Sequence, residues 1–408
     1  MKNIVFLFCF FALLLSCNDK NDILNQEGEQ IYVKYHWKSS LHKKQKASNS
    51  IMEANLVLDD KVLIAKTNDE EKILSCLDLE TGEELWTWND KYEGINEDVR
   101  IVKYHKFNNS ITYVKGTRKY RINLENGDTK FKHRYENSCD GSRLVGYEDK
   151  LYFLSDPIDT LKSYYSKNAI FKSTINSSEK EMFLIPDIDT SKSIPNTAVS
   201  GVANFEIIIK NRQKYFVISI SDPYPNWNYS IRLGLYNLTE EKWEYSRVPV
   251  SEPSQNNIGK MKIVEDKVYI NTGNYISCHD IMTGERLWKE FLPTDFLFSG
   301  FTVADGKVIA NGENSILYCL DAETGGRLWE GEGAGTSSRL DGRYLNGYVY
   351  FSGGSTGRIH AVDCSNGNTV WRLDASEYED GANDWKPDLY VTPGKNGEKG
   401  KVIIMTHD

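Results

Sequence analysis

An eleven-residue pattern recurs along this chain, and it constrains the fold more than any other feature. The pattern ends on an aromatic residue, and its final residues are Trp86, Phe131, Phe183, Trp243, Trp288, Trp329 and Trp371. Four copies agree closely, the copy at Phe131 agrees moderately, and those at Phe183 and Trp243 are degenerate. Successive ends lie 41 to 60 residues apart. A period near 45 residues is typical of a β-propeller blade of four short strands.

Each repeat divides into four predicted strands. In the fifth repeat they are Lys260–Val264, Lys267–Asn271, Tyr275–Ile281 and Arg286–Phe291. Apolar and polar residues alternate in these segments, and Gly, Asn and Asp lie between them. The Thr-Gly or Asn-Gly pair falls in the turn between the third and fourth strands, where Gly accepts a positive φ. The Asp that begins this turn is expected to accept hydrogen bonds from turn amides.

The N-terminus has the features of an export signal. Lys2 precedes an apolar run, Ile4–Leu15, that is short for a membrane-spanning helix. The run ends in Leu14-Leu15-Ser16-Cys17, which resembles the lipobox of bacterial lipoproteins. The resemblance implies cleavage before Cys17 and acylation of that residue. We therefore predict a signal peptide over residues 1–16 and a flexible tether over residues 17–29.

The recurring pattern itself resembles the PQQ-type β-propeller repeat, Ala-x-Asp-x-x-Thr-Gly-x-x-x-Trp, over roughly residues 50–408. In that family the Trp docks between neighbouring blades. The resemblance implies structural docking roles for three positions in each well-fitting copy, namely Asp78, Gly82, Trp86, Asp280, Gly284, Trp288, Asp321, Gly325, Trp329, Asp363, Gly367 and Trp371. Together with the lipobox, it points to the quinoprotein-like propeller lipoproteins, which include the scaffold of the outer-membrane β-barrel assembly machinery.

Two segments beyond the seventh repeat read as further strands, Asp388–Thr392 and Lys401–Thr406. Gln30–Lys38 is an isolated strand near the start that contains Trp37, as the fourth strand of a blade would. We predict an all-β fold over residues 30–408: a single propeller of eight blades, mostly of four antiparallel strands. In this prediction the N-terminal strand joins the C-terminal blade and closes the ring, because open sheet edges favour aggregation. Seven blades with separate terminal extensions are the alternative.

Composition and motifs argue against several functions, namely nucleic-acid binding, metal binding and catalysis. The net charge of −9 argues against a general nucleic-acid binder. Cys76, Cys278 and Cys319 occupy one equivalent repeat position and are expected to be buried packing residues. Cys139 and Cys364 have no assigned role, and a bridge between them stays open. PQQ dehydrogenases, which have a similar repeat, typically also have an adjacent Cys pair and a Ca²⁺ site. This chain lacks an adjacent Cys pair, a recognisable Ca²⁺ ligand set and paired metal-binding histidines. We therefore predict no cofactor, no metal and no enzyme activity.

Long connections with aromatic residues are the best sequence clue to function. They are predicted on one face of the propeller and include a loop over Asp222–Ser230. The candidate binding residues are Tyr164, Tyr165, Tyr224, Trp227, Tyr229, Tyr378 and Trp385. Aromatic side chains in polar loops fill partner pockets or stack on sugars.

These observations predict a non-catalytic interaction scaffold of the bacterial cell envelope. The protein would be monomeric and anchored in a bilayer, preferably the outer membrane, through acylated Cys17. It would bind another envelope protein or a glycan. A carbohydrate- or small-ligand-binding surface lipoprotein is the alternative, and a PQQ-dependent enzyme is third.

Overall fold

The computed structural model describes most of the repeat region and short parts of the N-terminus. The described residues are 22–24, 30–32, 36, 53–68, 71–92, 97–155, 169–186, 200–254, 259–294, 300–333, 339–353, 358–374, 389–394 and 400–404. Within them, the single helical element is a one-turn 3-10 helix, Pro225–Trp227. None of their helices is long and apolar enough to cross a membrane.

The chain has two compact units, Met1–Arg100 with Phe298–Asp408, and Ile101–Leu297. In the first unit, the strands are β1 (Asp22–Leu24), β2 (Gln30–Tyr32), β3 (Glu53–Leu58), β4 (Lys61–Asn68), β5 (Glu71–Asp78), β6 (Glu84–Trp88), β21 (Phe301–Ala304), β22 (Lys307–Asn311), β23 (Ile316–Asp321), β24 (Arg327–Glu332), β25 (Arg339–Leu345), β26 (Tyr348–Ser352), β27 (Arg358–Asp363), β28 (Thr369–Asp374), β29 (Tyr390–Thr392) and β30 (Lys401–Ile403).

In the second unit, the strands are β7 (His105–Phe107), β8 (Ser110–Asn123), β9 (Thr129–Tyr147), β10 (Lys150–Ser155), β11 (Ala169–Thr174), β12 (Glu181–Leu184), β13 (Gly201–Lys210), β14 (Gln213–Tyr224), β15 (Asn228–Asn237), β16 (Lys242–Pro249), β17 (Met261–Val264), β18 (Lys267–Thr272), β19 (Tyr275–Asp280) and β20 (Arg286–Phe291).

The strands form small antiparallel sheets in chain order. Five sheets have four strands: β3–β6, β13–β16, β17–β20, β21–β24 and β25–β28. In the fifth repeat, the observed strands agree with the predicted ones to within a residue at either end. Tight turns join first and second strands, as at Asp305-Gly306, where both residues have positive φ values of 51° and 68°. The predicted all-β propeller fold of small antiparallel sheets is confirmed.

Apolar side chains fill the space between consecutive sheets. Between β13–β16 and β17–β20, the core includes Val217, Leu233, Val268 and Ile270, all fully buried. Inner strands such as β14 are largely buried on both faces, because the sheet β13–β16 packs against β7–β12 on one side and against β17–β20 on the other. This explains why the second and third strands of most repeats are almost continuously apolar.

One large sheet replaces two predicted blades. Six strands, β7–β12, form a single sheet over the second and third repeats. Strand β8 holds the second and third predicted strands of one repeat, with Gly116 between them at a φ of 56°. The Leu124 amide donates to the Asn109 carbonyl oxygen at 3.0 Å, just as Leu79 donates to Asp60 at 2.8 Å in the first repeat. The repeat geometry therefore continues through this sheet.

The two-stranded sheet β29–β30 lies between the first and seventh repeats. Ile403 and Tyr390 pack with Val62 and Leu77 of the first repeat. On the other side, Val391 and Val402 join the cluster that contains Ile359, Leu373 and Trp371. The predicted C-terminal strands thus occupy the position of a partial further blade.

The N-terminal strand lies differently from the prediction. Strand β2 covers only part of Gln30–Lys38, and it pairs with β1, which falls within the predicted tether. Strands β29 and β30 pair with each other in a separate sheet. His36 nevertheless reaches the first repeat, where its Nε2 lies 3.3 Å from a Glu80 carboxylate oxygen. The Lys401 ammonium of β30 binds the same carboxylate at 2.7 Å, so the N-terminal segment and β30 meet at one side chain.

Candidate functional site

The hairpin of β14 and β15 extends well beyond its sheet. In the neighbouring fifth repeat the equivalent hairpin has six residue pairs, from Lys267 with Asp280 to Thr272 with Tyr275. In the fourth it has ten, ending at Tyr224 with Asn228. Four extra pairs add roughly 13 Å at about 3.3 Å per residue. The segment Asp222–Ser230, which the sequence predicts as a loop, is therefore a paired ribbon, and that prediction is wrong.

A buried ion pair supports the base of this ribbon. The Arg232 Nε atom lies 2.7 Å from an Asp222 carboxylate oxygen, and their side chains are 8% and 2% exposed. The Ser200 hydroxyl donates to the other Asp222 oxygen at 2.5 Å. Arg232 also donates to the Ser246 carbonyl oxygen. This network joins residues from β14, β15, β16 and the segment before β13.

The edge of the ribbon is covered along β15. The Tyr229 amide donates to the Ser254 carbonyl oxygen at 3.0 Å, and the Ser254 amide donates back at 2.9 Å. Further along, the Val250 amide donates to the Ile231 carbonyl oxygen at 2.9 Å. Residues 250–254 therefore add a third stretch of backbone to the ribbon and restrict its bending.

The tip of the ribbon consists of residues 224–229. Tyr224 and Tyr229 are half-buried, while Pro225 and Asn226 are exposed. Asn226 adopts the left-handed conformation with a φ of 61°, which Asn tolerates better than most residues. The Asn228 side-chain amide donates to the Pro225 carbonyl oxygen at 3.0 Å and closes the turn. The structure thus places two of the predicted aromatic residues together on a fixed turn.

The other predicted binding residues lie wholly or partly outside the described residues. Trp227 belongs to the turn by its backbone, and its side chain lies outside the described residues. Tyr164, Tyr165, Tyr378, Trp385 and the acylation site Cys17 also lie outside them. Their roles remain predictions.

The recurring Asp and Gly build the same turn in each repeat. Asp280 accepts hydrogen bonds from the Met282 and Thr283 amides at 2.9 and 2.8 Å. The Gly284 amide donates to the Asp280 carbonyl oxygen at 2.9 Å, with a φ of 73° at Gly284. Matching Asp contacts occur in the other well-fitting copies, at Asp78, Asp321 and Asp363. These residues hold the turn and are engaged there by backbone atoms.

Trp329, the recurring Trp of the sixth repeat, contacts the turn of the seventh repeat. The Trp329 indole N–H donates to the Cys364 carbonyl oxygen at 3.0 Å. A Cβ atom on Gly367 would lie 2.5 Å from the Trp329 ring. The glycine is therefore required both by its φ of 80° and by the ring that lies on it. Trp86 and Trp288 lie opposite Cys76 and Cys278, as Trp329 lies opposite Cys319.

In the fourth repeat, Tyr245 takes this place instead of Trp243. Tyr245 pairs with Leu235, the position that faces Trp in the other repeats. Its hydroxyl donates to the Ile281 carbonyl oxygen at 2.7 Å, and a Cβ on Gly284 would lie 3.1 Å from its ring. Trp243 packs in the preceding core beside Tyr236. Sequence reasoning took Trp243 as the repeat end because it matched the residue type.

The cysteines of the described region are free thiols. Cys76, Cys319 and Cys364 are fully buried, and burial raises the pKa of each thiol to about 12. Such thiols are poor nucleophiles and metal ligands. Cys139 lies 3.4 Å from the Lys180 ammonium and 3.7 Å from the Ser155 hydroxyl. A bridge between Cys139 and Cys364 is not formed.

His279 belongs to the packing of the fifth repeat. It is fully buried, its Nδ1–H donates to the Gly284 carbonyl oxygen at 3.1 Å, and its Nε2 lies 3.1 Å from the Ser277 hydroxyl. Burial lowers the pKa of this imidazole, with a smaller contribution from Arg286 in the same direction. The equivalent residues in the first and sixth repeats are Leu77 and Leu320.

We expect His279→Leu to make the protein less sensitive to acid. Because the pKa of His279 is lower in the folded state, the unfolded chain binds a proton first as pH falls below about 6.5. Stability is therefore lost between that pH and the lower folded pKa. Urea unfolding at pH 7.5 and pH 5 should show a smaller loss of unfolding free energy in the variant. An equal loss in both proteins would contradict the prediction.

The described residues offer little else for ligand chemistry. A small cavity in the first unit is lined by Ala65, Lys66, Lys72, Asp98, Val99 and Arg100. Lys66 binds Glu84, and Arg100 binds Asp98 at 2.7 Å, so carboxylates already neutralise these cations. Among the described residues, no group of three or more His, Cys, Asp or Glu side chains is placed to hold a metal ion.

Comparisons with known proteins agree with this geometry. Residues 241–396, less than half of the chain, match the family model described as outer membrane protein assembly factor BamB. BamB from Moraxella catarrhalis is similar in structure, with a TM-score of 0.52 and 12% identity over 88% of this chain and 98% of that one. No curated protein sequence matches the chain.

Two further solved structures share the fold. The computationally designed protein Ika8 has a TM-score of 0.54 and 13% identity over 90% of this chain and 99% of that one. The dihydro-heme d1 dehydrogenase NirN has a TM-score of 0.55 and 12% identity over 86% of this chain and 75% of that one. At these identities the likeness concerns the fold alone, and it includes both BamB and an enzyme. The chain therefore has a PQQ-like β-propeller fold that resembles that of BamB.

Proposed function

We propose that this protein is a lipid-anchored, non-catalytic scaffold of the bacterial cell envelope that binds a partner protein through the tip of the β14–β15 ribbon. The observation that carries the proposal is the ribbon itself. It extends four residue pairs beyond the neighbouring hairpin, and a buried ion pair fixes its base. A preformed aromatic tip loses little conformational entropy on binding.

The match to the BamB family model supports a partner in the envelope. The lipobox at Leu14–Cys17 supports acylation of Cys17 and attachment to a bilayer. The likeness to the outer-membrane assembly factor BamB favours the outer membrane as this bilayer.

The test is a photo-cross-linker at Asn226, an exposed residue of the tip, in living cells. We expect an adduct with an envelope protein, and mass spectrometry identifies it. Tyr224→Ala with Trp227→Ala should remove most of the adduct, because aromatic anchors dominate binding energy. The melting temperature should stay close to that of the parent protein.

Tyr147→Ala is the matched control. Tyr147 ends β9 beside a tight turn, next to the Lys214 ammonium, and its loss should leave the adduct unchanged. An adduct that survives the double substitution would contradict the proposal, as would a glycan in place of a protein. Bound quinone or Ca²⁺ in the purified protein would instead point to an enzyme.

A further inference from the structure

The second repeat has a charge opposite to that of the whole protein. Residues 101–135 contain nine Lys and Arg against two acidic residues, a net charge of +7 in a chain of −9. We call residues 101–135 the basic segment. It forms β7, β8 and the first part of β9. Such segregation creates a local positive potential despite the negative total.

The folded structure concentrates these charges. Strand β9 exposes Lys130, Lys132 and Arg134 at alternate positions, so neighbouring cations lie roughly 7 Å apart. Arg134 lies directly opposite Arg118 of β8. Cations of two strands therefore lie side by side in the basic segment.

Two titratable groups of the same strand pair, Lys119 of β8 and His133 of β9, lie opposite each other. Lys119 is fully buried, and its ammonium donates to the Thr174 carbonyl oxygen at 2.9 Å and to Ser173 at 3.2 Å. Burial lowers the pKa of Lys119 to about 8. The pKa of His133 is lowered by burial and then by the positive charge of Lys119.

We propose that the basic segment binds the phosphate groups of anionic membrane lipids. Its cations are spread over several strands, and a lipid surface presents many phosphates in one plane. This surface would hold the propeller against the membrane in addition to the acyl anchor at Cys17. The idea rests on the proposed membrane location, but its test does not need the anchor.

The test uses the full chain with Cys17→Ser, so that no acyl chain contributes to binding. Co-sedimentation is measured with vesicles of phosphatidylcholine alone and with about 30 mol% phosphatidylglycerol, at about 50 and about 300 mM NaCl. We expect binding only to the anionic vesicles, weakening at high salt. Lys130→Ala, Lys132→Ala and Arg134→Ala together should weaken binding at least about tenfold.

Arg286→Ala with Lys289→Ala is the matched control. These residues are also exposed on a fourth strand, β20, and near-parent vesicle binding is expected. Thermal unfolding confirms that each variant is folded. Equal binding to both vesicle types would overturn the proposal, as would unchanged binding by the triple variant. Binding to polyglutamate but not to anionic vesicles would assign the surface to an acidic protein. Aggregation of the triple variant with full vesicle binding would show that the cations only protect a strand edge.

Discussion

Replacing Arg232 by Met is expected to lower the free energy of unfolding by about 3–5 kcal/mol. The Asp222 carboxyl group would lose its ion-pair partner in a site where its side chain is 2% exposed. Its remaining bond, from the Ser200 hydroxyl, does not replace the guanidinium. Urea denaturation followed by tryptophan fluorescence measures the effect.

Two controls separate the buried charge from the loss of Arg232 packing. Asp222→Leu combined with Arg232→Met removes both charges and should recover more than half of the lost stability. Lys242→Met breaks the Lys242–Glu240 pair, whose side chains are 56% and 42% exposed, and should leave stability close to that of the parent. A double variant no more stable than Arg232→Met would show that charge burial is not the cause.

Gly367→Ala is the second substitution with a large expected effect. Gly367 has a φ of 80°, and this conformation costs a residue with a Cβ about 1–2 kcal/mol of strain. The new Cβ would also lie 2.5 Å from the Trp329 ring, and overpacking of this kind costs about 1–3 kcal/mol. We expect a total loss of about 2–5 kcal/mol in the free energy of unfolding, measured by the same denaturation experiment.

Gly306→Ala is the control for the ring contact, because it adds a Cβ at a positive φ without a ring nearby. Gly306 has a φ of 68°, and a Cβ there would meet nothing within 4 Å. This variant should therefore show the backbone strain alone. If both alanine variants lose the same stability, Trp329 does not restrict the Gly367 position.

The repeat structure was predictable because its signals are local. Asp321, Gly325 and Trp329 lie within nine residues of one another, and each acts through a turn or a contact with the next repeat. The strand bounds of the fifth repeat follow from the same short pattern. Local turn chemistry and the period of the repeat suffice for such features.

The features that were missed depend on strand register. Trp243 and Tyr245 are two residues apart, and a β-bulge decides which of them faces the next repeat. The ribbon was predicted as a loop because Pro223, Pro225 and Asn226 are typical turn residues. Tertiary contacts override that preference, because the Asp222–Arg232 pair and the cover from residues 250–254 hold the strands together.

The pairing of the candidate binding residues was only partly predictable. Tyr224 and Tyr229 were recognised by type and lie on one turn, as the sequence suggested. Arg232 was overlooked although it is the one charged residue of β15, with apolar residues on either side of it. Such a residue indicates a buried partner, and the diagonal position across the hairpin identifies Asp222.

The contact between Glu80 and Lys401 has a consequence for biosynthesis. The two residues are 321 positions apart. The apolar surface of the first repeat that β30 covers therefore stays uncovered until β30 has been synthesised. Contacts of such long sequence separation form slowly. A chain with this topology therefore leaves that apolar surface uncovered until synthesis is almost complete. Chaperones that cover the surface around Val62 and Leu77 in that interval would protect the protein from aggregation.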